Sequence, residues 1–125
     1  MIKKIVKGTH IELTEAINVA VDKIVMALDR YVAPDDSGAM VEIEVSRTTN
    51  HHRSGDIFRA EANFQSRLGL IRAEAEKEDL YMALSIVKDE LIEALNAKKG
   101  KRTDFIRRSG LAVKNMLKGL PWRRT

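Results

Sequence analysis

The sequence predicts an α+β fold of order β-α-β-β-β-α, a four-stranded sheet with two helices on one face. Three observations predict it. Residues 40–47, 56–64 and 70–78 alternate apolar and polar side chains with a period of two, the pattern of half-buried strands. Residues 13–32 and 78–100 repeat apolar side chains every three or four positions, the pattern of amphipathic helices. Turn-forming residues fall between these segments.

The elements follow in order. IKKIVKG, residues 2–8, is a short apolar and basic run that reads as the first strand. In the first helix Thr14 is placed to cap the N-terminus, and Glu15 lies near the positive helix end. Ile17, Val21, Ile24, Leu28 and Tyr31 share the apolar face. APDDSG, 33–38, breaks the helix with Pro34 and Gly38. In the second strand Val41, Ile43 and Val45 point inward, with Glu42, Glu44 and Ser46 outward. The third sets Phe58, Ala60, Ala62 and Phe64 against Arg59, Glu61 and Asn63. QSRLG, 65–69, supplies a turn. The fourth sets Ile71, Ala73 and Ala75 against Arg72, Glu74 and Glu76. Small alanines at the sheet centre let helices approach closely. Opposite charges on the outer face can pair across strands, so that face reads as solvated.

The second helix has Asp79 as its cap and Leu80, Ala83, Leu84, Val87, Leu91, Ala94 and Leu95 as its stripe. Lys98 and Lys99 lie at its negative end, and Gly100 is expected to end it. Residues 103–119 read as a third, weaker helix, with Ile106, Val113 and Leu117 on one face and Gly110 interrupting.

A chain of 125 residues with 44% hydrophobic content fits one domain with a real core. It has no cysteine, which excludes disulfides and cysteine-ligated zinc. The first residues lack the apolar run of a signal peptide, and no stretch approaches a membrane span, so the chain reads as soluble and cytoplasmic. The net charge of +4 is unevenly spread. Residues 98–125 hold ten Lys or Arg against Asp104 alone, a charge of +9, and residues 1–97 carry −5. A weakly acidic body with a strongly basic tail points to a polyanion partner. Aromatic and apolar residues interleaved with the basic ones favour nucleic acid.

TTNHHRSGD, 48–56, holds two of the three histidines. Zinc needs three or four converging ligands, and adjacent residues of an extended chain face opposite ways. Only Asp56 and the distant His10 could add to His51 and His52. General acid–base catalysis needs a pocket and an orienting partner, which a polar hairpin tip lacks. There is no Gly-x-Ser-x-Gly elbow and no Gly-rich phosphate loop followed by Lys. The stretch reads as an exposed hairpin connection, with a phosphate or base contact by His51, His52 and Arg53 as the second reading.

Four pieces of sequence resemble the ribosome hibernation promoting factor and ribosome-associated translation inhibitor family. They are GTHIELTEAI entering the first helix, HHRSGDIFRAEANF across a hairpin, AEAEKEDLYMAL at a strand-to-helix junction, and LNAKKGKR after the second helix. Together they cover about residues 2–102, and Glu78 to Tyr81 is the most specific part. The resemblance implies a domain similar in shape to double-stranded RNA-binding domains. It implies binding to the small ribosomal subunit and its ribosomal RNA near the decoding region. There such proteins block messenger and transfer RNA and protect idle ribosomes under stress. It also implies a short form, without the dimerisation domain of long members.

Members usually line the RNA-facing side of both helices with basic residues. Here the first helix offers Lys23 and Arg30, and Asn18, Ile24 and Ala27 stand at positions where the resemblance implies Lys or Arg. In the second, Lys88 is flanked by Asp89, Glu90 and Glu93. The expectation is that the tail takes over part of the RNA grip. Candidate RNA-binding residues are therefore Lys23, Arg30 and Lys88 on the helices and His51, His52 and Arg53 in the hairpin. Lys98, Lys99, Lys101, Arg102, Arg107, Arg108, Trp122, Arg123 and Arg124 complete the set. The division is a ribosome-binding domain, 1–100, and a basic, partly helical tail, 101–125. No enzyme, cofactor, metal, membrane or small-molecule substrate is expected, and the chain is expected to be a monomer off the ribosome. The alternatives are an RNA-binding module acting on structured RNA elsewhere, or a tail that docks a protein or membrane through Ile106, Val113, Leu117 and Trp122.

Overall fold

The computed structural model describes residues 2–49 and 55–116, with residue 49 and residues 101–116 as backbone alone. The elements are β1 (Lys3–Thr9), α1 (Glu15–Asp29), β2 (Met40–Thr49), β3 (Asp56–Ser66), β4 (Gly69–Lys77) and α2 (Leu80–Met116). They form one sheet in the order β1-β2-β3-β4. β1 pairs with β2 in parallel, Lys3 opposite Met40 and Thr9 opposite Ser46. Parallel neighbours need a crossover, and α1 is that crossover. β2, β3 and β4 run antiparallel, each joined to the next by a hairpin.

Both helix starts use the expected caps. The Ile17 amide donates to Thr14 Oγ1 at 3.2 Å, and the Tyr81 amide donates to Asp79 Oδ1 at 2.8 Å. The apolar stripes then close on the sheet. Ile17, Val21, Ile24 and Leu28 of α1 are buried, as are Leu80, Ala83, Leu84, Val87, Leu91 and Leu95 of α2. The inward strand set, Val41, Ile43, Val45, Ala60, Ala62, Phe64, Ile71 and Ala73, is buried beneath them. α2 packs on β3 and β4, where Ala60, Ala62 and Ala73 leave room for it. Ile24 is therefore a core residue and stands on no RNA-facing surface; the helical period puts it beside Val21 and Leu28.

The end of α2 differs from the sequence reading. The helix does not stop at Gly100, and no separate third helix starts at 103; α2 runs on unbroken to Met116. Gly69 and Gly55 take positive φ, but Gly100 does not adopt the left-handed conformation of a helix-ending glycine. A glycine inside a helix costs about 1 kcal/mol relative to alanine, which weakens the helix without breaking it.

The loop after α1 is tied to the β3–β4 turn. Asp36, buried, accepts from the Arg67 amide at 3.0 Å. The Arg67 guanidinium binds the Asp35 carboxylate at 2.8 Å and the Asp35 carbonyl at 2.9 Å. That hydrogen bond from Arg67 holds the Asp35 carboxyl below its ordinary pKa. Neither acid stood out in the sequence.

Candidate nucleic-acid interface

One end of the domain gathers the C-terminus of α1, the 33–38 loop, the β3–β4 turn and the middle of α2. α2 starts beside the end of β4 and runs back along it. From Leu80 to Lys98 the helix rises about 27 Å, close to the roughly 30 Å length of β4. At that point Lys98 Nζ donates to the Leu68 carbonyl in the turn, at 3.1 Å. Gly69 beside it has φ +109, and a Cβ there would lie 2.8 Å from Lys98 Nζ, so glycine both makes the turn and admits the lysine. One residue on, Lys99 Nζ sits 5.9 Å from the centre of the Tyr31 ring, a cation–π contact from α2 to the segment after α1.

β4 is used up where α2 reaches Lys98. Residues 101–116 then add about 24 Å of helix past the turn. The sequence of that extension supplies Lys101, Arg102, Arg107, Arg108 and Lys114 against Asp104. That stretch of α2 is therefore strongly basic in sequence.

The remaining candidates fall elsewhere. Lys23 and Arg30 are exposed on α1, and Lys88 is half-buried on α2. Lys98 is half-buried against the β3–β4 turn, and Lys99 is exposed with its Nζ near the Tyr31 ring. His51, His52 and Arg53, and Trp122, Arg123 and Arg124, lie outside the described residues. His10 follows β1 with φ 58, a backbone conformation in which histidine is enriched among non-glycine residues. Among the described residues no three His, Cys, Asp or Glu side chains cluster in a way that could hold a metal. Among them, too, no helix is long and apolar enough to cross a membrane.

The outer sheet face is a charge network. Arg59 reaches Glu61 at 3.2 Å, Glu76 at 3.8 Å and Glu74 in a direct hydrogen bond. Arg72 reaches Glu61 at 2.7 Å and Glu74 at 3.5 Å. The hydrogen bond to Glu74 holds the Arg59 guanidinium above its ordinary pKa. Arg59 and Arg72 are thus paired with carboxylates of the same sheet face.

The family described as "Sigma 54 modulation protein / S30EA ribosomal protein" matches residues 5–103. The chain belongs to that family. The crystal structure of the Thermus thermophilus Protein Y N-terminal domain is similar at 32% identity, covering 75% of this chain and 93% of that one, with a TM-score of 0.61. A ribosomal subunit interface protein from Coxiella burnetii shares the fold at 20% identity, covering 80% of this chain and 99% of that one, with a TM-score of 0.55. No curated protein sequence matches the chain. The S30EA family match ends at residue 103, so most of the basic extension of α2 lies beyond it. The expected α+β architecture agrees with that of the solved structure at 32% identity.

Proposed function

We propose that this S30EA-family protein is a non-enzymatic ribosome hibernation factor. It binds the small ribosomal subunit near the decoding region, excludes messenger and transfer RNA, and protects idle ribosomes during stress, in the cytoplasm. Family membership supports ribosome association. The observation that carries the finer reading is the pinning of α2 at Lys98 and Lys99, followed by continued helix. The α+β body fixes the direction of the helix, and the helix presents cations beyond the body.

In this reading Lys101, Arg102, Arg107 and Arg108 neutralise phosphates, with Arg123 and Arg124 adding bidentate contacts. Trp122 stacks on an unpaired base. Lys23, Arg30, Lys88 and the hairpin residues His51, His52 and Arg53 supply secondary contacts. Lys98 and Lys99 act chiefly by aiming the arm.

The test is a chain with Arg102, Arg107, Arg108, Arg123 and Arg124 changed to Gln. It should fold normally, sediment free of small subunits in a density gradient, and lose inhibition in a cell-free translation assay. Wild-type binding would move the grip to the body. Binding to free structured RNA with none to ribosomes would favour an RNA-binding module acting elsewhere.

A further inference from the structure

We infer that the open edge of β4 pairs antiparallel with β4 of a second copy, with Ala73 on the two-fold axis. The inference is independent of the ribosome reading, and it puts a dimer in place of the expected monomer off the ribosome.

β4 and β1 are the two edges of the sheet. A strand edge offers unpaired N–H and C=O groups, and proteins blunt it with proline, bulges, inward charges or charged side chains along the edge. β4 has only the last of these, and its charges, Arg72, Glu74, Glu76 and Lys77, are of mixed sign. It is nine residues long and contains no proline. Its register with β3 is unbroken from Phe58↔Lys77 to Ser66↔Gly69, so it has no bulge. Its inward residues Ile71, Ala73 and Ala75 are apolar. α2 covers its inner face but leaves a shallow groove of about 410 Å³ beside it, lined by Arg72, Ala73, Glu74 and Glu90. β1 is guarded differently. Antiparallel self-pairing centred on Ile5 would set Lys3 against Lys7.

The outer face supplies the charge logic. One cross-strand row reads Lys7, Glu44, Glu61, Glu74 from β1 to β4. Like charges directly opposite destabilise a sheet. Lys7 closes this row at the β1 edge, 3.8 Å from Glu44. Arg59 and Arg72 reach into it diagonally. At the β4 edge the row ends on Glu74, whose side chain is 53% exposed. The neighbouring row reads Glu42, Asn63, Arg72 and ends on an arginine 58% exposed.

Pairing about Ala73 sets Arg72 against Glu74 of the second copy, and Glu74 against its Arg72. Both rows then continue into the opposite charge. Shifting the register by two residues sets Arg72 against Arg72 or Glu74 against Glu74. The favoured register also sets Ile71 against Ala75 on the inner side and Leu70 against Glu76 on the outer side. Because α2 runs back along β4, the two arms leave such a dimer at opposite ends.

The test is sedimentation of the whole chain over a concentration series. Wild type should pass from monomer to dimer. Arg72→Glu and Glu74→Arg each turn both facing pairs into like charges, and each alone should weaken association by about tenfold or more. An equimolar mixture of the two variants restores two opposite-charge pairs and should dimerise again. Melting curves establish that each variant is folded. A second probe needs no charge change at these sites. The chain has no cysteine, so Leu70→Cys mixed with Glu76→Cys should cross-link under mild oxidation, and Leu70→Cys alone should not. A wild type monomeric at every concentration would overturn the proposal. So would a mixture no better associated than its components, or self-linking of Leu70→Cys as efficient as the mixture.

Discussion

Lys98 on α2 donates to the main-chain carbonyl of Leu68 in the β3–β4 turn, and this bond marks where the body ends and the helical extension begins. Lys98 is half-buried, so its role differs from that of the lysines after it. Lys98→Met should cost about 1 kcal/mol, because a carbonyl loses its charged partner. Lys101→Met should leave thermal stability nearly unchanged and act only on RNA binding. Equal melting temperatures for the two variants would show that Lys98 is no anchor.

Asp36 is the buried acid of the domain among the described residues, and it accepts the Arg67 amide. Asp36→Ala leaves that N–H without its partner and should destabilise by about 1–3 kcal/mol in chemical denaturation. Its exposed neighbour Asp35 gives a pH signature. Arg67 lowers the folded-state pKa of Asp35 below the ordinary carboxylate value. The stability from that pair is present above the unfolded pKa, about 4, and is lost as pH falls through the lower folded value. Asp35→Asn should lower stability slightly near neutral pH, leave it unchanged below the folded pKa, and so flatten this acid limb.

The fold was legible because its signals were periodic. Alternation in 40–47, 56–64 and 70–78 gave three strands, and Thr14 and Asp79 gave both helix starts. The parallel pairing of β1 with β2 was less visible, since IKKIVKG has no clean alternation. The tie between Asp35, Asp36 and Arg67 spans more than thirty positions along the chain and has no local pattern. Gly100 misled because glycine after a lysine pair resembles a helix end, whereas the end depends on backbone dihedrals that composition does not specify. The cations of the candidate interface were legible as charge. The division between those that face the body and those that follow it required the position of Leu68.

Binding to isolated small subunits should weaken steeply with salt. Contact with six phosphates corresponds to a loss of about a thousandfold between roughly 50 and 200 mM salt. Filter binding across that range measures the slope. A flat dependence would remove phosphate neutralisation as the main source of affinity.

The hairpin histidines should matter little. His51→Ala combined with His52→Ala is expected to leave the melting temperature unchanged and reduce ribosome binding only a few-fold, as a polar connection would. Elemental analysis of wild type and variant supplies the contrary outcome. A stoichiometric metal present in the first and missing in the second would make this hairpin a metal site.

Gly100 separates two accounts of the C-terminal segment. If the helix ended there, glycine would occupy a left-handed position and alanine would be strained. Here Gly100 lies within α2, and a Cβ added to it meets nothing within 4 Å. Gly100→Ala should therefore stabilise the chain by up to about 1 kcal/mol, through helix propensity and a less flexible unfolded state. Gly100→Pro should do the opposite locally, since proline removes an amide and clashes with the preceding turn. It should leave the body folded, because Lys98 and Leu95 precede the break, and still weaken ribosome binding by misdirecting Lys101, Arg102, Arg107 and Arg108. Circular dichroism of the three chains reads the helix content, and gradient sedimentation reads the binding. A lower melting temperature for Gly100→Ala would restore the helix end at residue 100. Undiminished binding by Gly100→Pro would show that the arm contacts RNA without being aimed by α2.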